Sequence, residues 1–241
     1  MGISLGINLL PTNRKYCNFN CIYCECGSNN EYQGKSSNLP LRETVYSALE
    51  KKLKEMQQDG SLPDSITFAG NGEPTCHPDF SEIIDDTVAL RNSFASQSKI
   101  SVLSNATMLE RQETVSALRK IDMPVLKLDS AVDATIELLN QPSKNIGTNR
   151  LITQLTQLRN HCIIQTMFVQ GTYLGRVVDN TSTEELEAWE RAIISIQPKL
   201  VTIYSIARDT PVDTIHKVCG EKLKEIGAMV ERHGIHVHVS A

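Results

Sequence analysis

The sequence predicts an α/β fold of repeated strand–helix units, a partial or complete β/α barrel, with a doubly wound open sheet as the alternative. Three observations predict it. Short β-branched runs recur along all 241 residues. Amphipathic helical patterns lie between most of them. Small and polar residues follow the strands in turn: a cysteine-rich loop, "GNGEPT" (70–75), "SNAT" (104–107), "LDS" (128–130), "QG" (170–171) and "ARD" (207–209). Strand and helix in alternation imply parallel strands joined by right-handed crossovers. In such folds ligands gather at the C-terminal strand ends, so these polar residues are expected to converge.

The elements follow in order. "ISLGINLL" (3–10) is the first strand, and the cysteine loop follows it. Residues 41–57 place Val45, Ala48, Leu49, Leu53 and Met56 on one stripe, a helix that stops near Gly60. "SITFAG" (65–70), "KISVLSN" (99–105) and "PVLKLDS" (124–130) are the next strands, with helices over 79–94 and 107–119. A helix over 147–159 leads to one strand, "CIIQTMFVQG" (162–171). The stripe Leu186, Trp189, Ile193 and Ile196 defines a helix over 183–196, started by a capping box of Ser182 and Glu185. "KLVTIYSI" (199–206), a helix over 212–232 and "GIHVHVS" (234–240) complete the series. The last is an edge strand with His236 and His238 outward on one face. No linker or repeat divides the chain, which reads as a single domain over 1–241.

The net charge is −4, and no basic balance argues for a polyanionic partner. Lys51, Lys52 and Lys54 stand beside Glu50 and Glu55 and read as a solvated helix face. The apolar start of the chain has no basic region before it and is too short to span a bilayer. A soluble cytoplasmic protein without a membrane partner is expected.

"YCNFNCIYCECG" (16–27) holds four of the seven cysteines. Cys17, Cys21 and Cys24 form C-x3-C-x2-C, and Cys26 follows. A structural zinc site wants four ligands. Cys26 as the fourth makes a tight Cys-x-Cys pair, and no second C-x-x-C lies downstream. A disulfide leaves an odd thiol and needs an oxidising compartment. A redox C-x-x-C needs no third cysteine. Three thiolates on a four-iron cube leave one iron open to a cofactor or substrate. That reading is favoured, with zinc and redox uses as the alternatives.

These cysteines, with the aromatic Tyr23 before the last, resemble the cluster motif of the radical S-adenosylmethionine (radical SAM) superfamily. "GNGEPT" resembles that superfamily's Gly-Gly-Glu motif. Together with "VLSNATML", "VLKLDS" and "MFVQG", they most resemble the uncharacterised iron–sulfur oxidoreductases related to wybutosine-synthesis enzymes. Pyruvate formate-lyase activases are more distant. The resemblance runs from about residue 5 to about residue 210 and implies a partial (β/α)6-type radical SAM barrel.

It further implies a [4Fe–4S] cluster on Cys17, Cys21 and Cys24, with S-adenosylmethionine on the open iron. Reductive cleavage then gives a 5′-deoxyadenosyl radical, which takes hydrogen from a substrate: tRNA, a peptide or protein, or a small metabolite. Tyr23 is implied beside the adenine, mostly through its backbone. Gly72 and Glu73 are implied at the methionine amino group, and Ser104, Asn105, Asp129 and Ser130 elsewhere on the cofactor. Asn71 departs from the motif's first glycine, and Gln165 stands where relatives often carry a glutamate. Lys127 and Asp129 share a strand face, as a cofactor contact or a structural ion pair. Arg208 is a candidate for an anionic group. Cys76 and His77 follow the Gly-Glu motif, and Cys26 falls outside the cage. No catalytic side chain is assigned beyond cluster and cofactor. An external flavodoxin or ferredoxin supplies the electron. The competing reading is a non-catalytic metal- or iron–sulfur-binding protein.

Overall fold

A computed structural model describes residues 2–29 and 38–240. The chain folds as two compact units. The first draws on residues within 1–17, 32–104 and 108–125. Its strands β1 (Ser4–Ile7), β2 (Ser65–Phe68) and β3 (Lys99–Ser104) pair in parallel, with Leu5 opposite Ile66 and Ile66 opposite Ile100. Its helices are α1 (Arg42–Gln58), α2 (Phe80–Phe94) and α3 (Gln112–Arg119). The α1 stripe buries Leu49, Leu53 and Met56 as its spacing predicts, while Ala48 stays exposed. Leu49 and Leu53 pack with Ile66 of β2 and Leu90 of α2. The predicted helix over 107–119 begins only at Gln112. Ala106 is left-handed (φ 65°), and the Asn105 carboxamide oxygen accepts the Thr107 N–H at 3.1 Å. That Asx turn keeps the chain out of the helix until it is past.

The second unit draws on residues within 18–31, 105–107 and 126–241. Strand β4 (Met123–Lys127) runs across the division of the chain. Then come α4 (Asp133–Leu139), α5 (Thr148–Leu155), β5 (Ile163–Met167), β6 (Val169–Tyr173), β7 (Arg176–Asp179), α6 (Thr183–Ile196), β8 (Leu200–Tyr204), β9 (Ile215–Lys217), α7 (Gly220–Glu231) and β10 (Val237–Ser240). β5, β8 and β10 pair in parallel in that order. A separate antiparallel sheet has the order β7-β6-β9. The histidines His236 and His238 are exposed, as the edge-strand reading expects.

The run over 162–171 is two strands, not one. It breaks at Phe168, which is fully buried and meets Trp189 edge-on at 5.3 Å. Asn180 braces the break: its oxygen accepts the Val169 N–H, and its amide donates to the carbonyls of Met167 and Asp129, each at 2.8 Å. The helix expected over 212–232 starts only at Gly220, because residues 215–217 pair with β6 as β9. The helix over 147–159 ends at Leu155 and tightens into a 3-10 turn over Thr156–Leu158.

Only half of the predicted capping box forms. Ser182 Oγ accepts the Glu185 N–H at 3.4 Å. The Glu185 carboxylate instead accepts Ser130 Oγ at 2.6 Å and Thr135 Oγ1 at 2.5 Å, which ties α6 to the end of β4. Among the described residues, no helix is long and apolar enough to cross a membrane.

Two cysteines away from the loop differ sharply in exposure. Cys162 is fully buried, and burial pushes its thiol up to about 12. Cys219 is exposed. Brief iodoacetamide treatment of the native protein, mapped by peptide mass, is expected to label Cys219 and leave Cys162 unlabelled until denaturant is added.

Candidate active site

In the first unit, the segment after β2 is clamped onto the approach to the cysteine loop. Gly72 and Tyr16 form a parallel bridge: the Tyr16 N–H donates to the Asn71 carbonyl at 2.7 Å, and the Glu73 N–H donates to the Tyr16 carbonyl at 3.0 Å. Gly72 has φ 145°, and a Cβ there would run into the Tyr16 carbonyl. Glycine is needed for both reasons. Asn71, the departure from the motif, donates to the Pro11 carbonyl at 3.1 Å. It therefore ties this segment to the loop after β1. Glu73 is 2% exposed, and its Oε1 accepts the Thr75 N–H at 3.0 Å and Thr75 Oγ1 at 2.5 Å. It caps the short 3-10 turn Pro74–Cys76. Arg14 lies over the Tyr16 ring at 5.2 Å. His77 is buried, with Nδ1 accepting the Asp79 N–H at 3.1 Å. Its Nε2 therefore carries the proton and donates to the Pro40 carbonyl at 2.9 Å. Both ring nitrogens are engaged, so His77 braces this corner.

In the second unit, the cysteine loop is pinned to the end of α4, a helix that the sequence reading did not contain. The Asn20 N–H donates to the Asn140 carbonyl at 2.9 Å, the Ile22 N–H to the Leu139 carbonyl at 3.0 Å, and the Ser143 N–H to the Asn18 carbonyl at 2.8 Å. Two turns follow, from the Cys24 N–H to the Cys21 carbonyl and from the Gly27 N–H to the Cys24 carbonyl. Asn105 steadies the same loop, donating to Asn18 Oδ1 at 2.7 Å while its own oxygen accepts Thr107 Oγ1 at 2.7 Å. Ser104, just before it, is buried.

Asp129 is the hub of this unit. Its Oδ1 accepts the Met167 N–H at 2.9 Å and pairs with Lys127 Nζ at 3.3 Å. Its Oδ2 accepts the Tyr23 hydroxyl and, at 2.7 Å, the Asn140 amide. Lys127 also donates to the Tyr204 hydroxyl at 3.1 Å and lies over the rings of Tyr23 (5.0 Å) and Tyr204 (5.4 Å). Burial opposes the Lys127 charge, but Asp129 and Tyr204 outweigh it and hold the ammonium above its ordinary range. Burial and Asp129 push the Tyr23 phenol well up. Lys127 and Asp129 thus form an internal ion pair. Ser130 likewise turns inward, donating to Glu185 and accepting the Val132 N–H at 2.9 Å.

Removing the hub leaves Lys127 as a buried charge without its counter-ion, and Tyr23, Asn140 and Met167 without their acceptor. Asp129→Ala is expected to destabilise the protein by roughly 3–5 kcal/mol, the usual effect of breaking a buried pair from one side. Urea unfolding of the two proteins measures the difference.

Cys17, Cys21, Cys24 and Cys26 are thiols rather than disulfide halves, each half-buried. Among the described residues, no three Cys, His, Asp or Glu side chains are grouped closely enough to hold a metal ion. The chemistry around Cys21 nevertheless suits a thiolate ligand. Burial and Asp129 push its thiol up, while the Asn140 amide, the Tyr23 hydroxyl and the Lys127 charge all favour the anion. Metal coordination itself displaces such a proton. Arg208 pairs with Glu25 at 2.7 Å, and both are exposed. Its head group therefore lies at the cysteine loop between Cys24 and Cys26. Gln165 is half-buried on β5, and its carbonyl accepts the Leu128 N–H at 3.1 Å.

Known proteins are similar to this chain in sequence and in fold. The family model described as the Radical SAM superfamily matches residues 15–180. A protein named GTPase Obg from Brachyspira hyodysenteriae is 27% identical over 226 residues, 93% of this chain and 31% of that protein. A UPF0026 protein of Helicobacter pylori is 31% identical over 148 residues, 61% of this chain and 45% of its own length. The chain thus spans less than half the length of these two relatives. Among solved structures, SuiB of Streptococcus suis superposes with a TM-score of 0.66 at 17% identity, over 99% of this chain and 50% of its own. The protein anSMEcpe with bound AdoMet gives 0.65 at 14% identity, over 98% of this chain and 63% of that one. This likeness gives the chain the partial-barrel α/β fold that its strand–helix alternation predicts. The chain belongs to the radical SAM superfamily, enzymes that hold a [4Fe–4S] cluster and S-adenosylmethionine.

Proposed function

We propose that this chain is a radical-generating enzyme domain over 1–241. In this reading Cys17, Cys21 and Cys24 hold the [4Fe–4S] cluster, and Cys26 stays outside it. When bound, cluster and cofactor together supply an electron transfer that cleaves S-adenosylmethionine to a 5′-deoxyadenosyl radical, which abstracts hydrogen from the substrate. The chain's own residues bind and orient. Gly72 lets backbone come close to the methionine amino group, and the Glu73 carboxylate suits an ammonium. Tyr23 offers its backbone to the adenine, and Ser104 and Asn105 close the third strand beside the cofactor. Asp129 and Ser130, whose side chains are engaged internally, act as positioning residues rather than contacts.

The observation that carries this reading is the bridge between Gly72 and Tyr16, which locks the Gly-Glu motif to the residue preceding Cys17. The electron comes from an external flavodoxin or ferredoxin, in the cytoplasm. The hydrogen donor is a tRNA, a peptide or protein, or a small metabolite. SuiB has been solved with its precursor peptide SuiA, which keeps the peptide class among the three.

The test is anaerobic purification and reconstitution, followed by reduction in the presence of S-adenosylmethionine. About four irons per chain and release of 5′-deoxyadenosine are expected. Zinc in place of iron, or a reduced cluster that leaves the cofactor intact, sinks the proposal in favour of a non-catalytic metal-binding protein. Comparing tRNA nucleosides, peptides and metabolites between a deletion strain and its parent then separates the substrate classes.

A further inference from the structure

Asn140 follows α4 and is 1% exposed. Its carboxamide nitrogen lies 2.7 Å from Asp129 Oδ2, 2.8 Å from the Tyr23 hydroxyl and 3.3 Å from Cys21 Sγ. The orientation is forced. A reversed amide would set its oxygen against the buried Asp129 carboxylate, which has only acceptors to offer. Asp129 cannot turn away, because the Met167 N–H and Lys127 hold its other oxygen. One amide hydrogen therefore stays on Asp129, and the second serves the Tyr23 hydroxyl and the Cys21 sulfur.

The distance to Cys21 is built into the backbone as well. The residues on either side of Cys21 are pinned here: Asn20 to the carbonyl of Asn140 itself, and Ile22 to that of Leu139. Donor and sulfur thus move as one piece. The other end of the carboxamide shows what this arrangement gives up. Asn140 Oδ1 is buried and has no hydrogen-bond partner among the described residues. An amide placed only to satisfy itself would not leave its acceptor bare.

We infer that Asn140 is a positioning residue that holds an N–H on the Cys21 sulfur and thereby raises the reduction potential of the cluster. The inference rests on the assignment of Cys21 as a cluster ligand above. A hydrogen bond to sulfur stabilises the reduced cluster, which carries one more negative charge, more than the oxidised one. The bond also strengthens as the sulfur becomes more anionic. Electron delivery from an external donor becomes correspondingly easier.

The experiment is an EPR-monitored redox titration of the reconstituted wild-type protein and of Asn140→Leu, which keeps the shape and loses the N–H. Iron content is measured on the same samples. The expected result is full iron in both, with the variant's reduction equilibrium shifted tenfold toward the oxidised form, 59 mV for one electron. Full iron with an unchanged potential overturns the inference. A second measurement does not depend on the variant folding: pulsed EPR of the reduced wild-type cluster in protein labelled with 15N at asparagine side chains. A weak coupling to labelled nitrogen supports the bond, and its absence overturns it. A wild-type chain that takes up no iron fails differently. It removes the cluster assignment first, and this inference with it.

Discussion

Replacing Cys17, Cys21 or Cys24 by alanine is expected to abolish reductive cleavage of S-adenosylmethionine and to cut iron retention sharply, whereas Cys26→Ala is expected to keep wild-type iron. The expected asymmetry rests on the proposed three-cysteine cage, two of whose members the loop holds in fixed relation. The N–H groups of Asn20 and Ile22 fix the backbone around Cys21, and the two successive turns then fix Cys24 relative to it. Cys26 lies between the ends of the second turn, two residues past Cys24 and beside the exposed Glu25. Three thiolates keep one iron open, and losing one leaves two ligands for a four-iron cube. The measurements are iron per chain after anaerobic desalting and 5′-deoxyadenosine formed after reduction. If Cys26→Ala loses its iron as the others do, the site is closed by four thiolates, and the open-iron reading fails.

Gly72→Ala is expected to be strongly damaging for a single added methyl group. Two separate penalties meet there. The backbone at φ 145° lies where only glycine is comfortable, which alone costs roughly 1–3 kcal/mol for another residue. The new methyl also meets a backbone carbonyl, that of Tyr16, which cannot swing aside as a side chain can. The bridge must open, and the segment before Cys17 moves with it. A displacement of about 1 Å at a reacting site costs on the order of 100-fold in rate, and a loss of that size is expected in cofactor cleavage. Asn71→Ala is the control. It removes one hydrogen bond to Pro11 and leaves the bridge, so cleavage within a few-fold of wild type is expected. Equal rates for Gly72→Ala and the wild type would show that this segment does not position the cofactor.

Much of the fold was legible because its signals are local and periodic. The α6 stripe gave Thr183–Ile196 to the residue, since Leu186, Trp189, Ile193 and Ile196 all turn inward. The parallel strands were legible as short buried runs between helices. What escaped detection was set by pairing over distance. β9 is three residues with no apolar alternation of its own, and it exists because β6 offers it an edge. α4 is only seven residues long, too short for a clear stripe, although the "NQP" after it is an ordinary helix-stop signal.

The candidate site divides in the same way. The cysteines and the Gly-Glu segment stand out as motifs. The residues that orient them do not, because Asn140 reaches Cys21 across 119 positions and Asp129 reaches Tyr23 across 106. The strand reading put Lys127 and Asp129 on one face, which is where they are. It could not say that Asp129 is fully occupied by its neighbours.

The break at Phe168 has a consequence for the order in which this region assembles. Two of the three bonds from Asn180 close loops of only 11 and 13 residues, to Val169 and Met167. Loops of about that length close in tens of nanoseconds, well before pairings such as Asn180 to Asp129, 51 residues apart, are sampled. The β6–β7 hairpin is thus able to set the end of β5 on its own, using contacts of low sequence separation. In the fold the hydrophobic stretch over 162–171 is divided at that corner into two short strands, so it does not offer one long extended segment for pairing with another molecule.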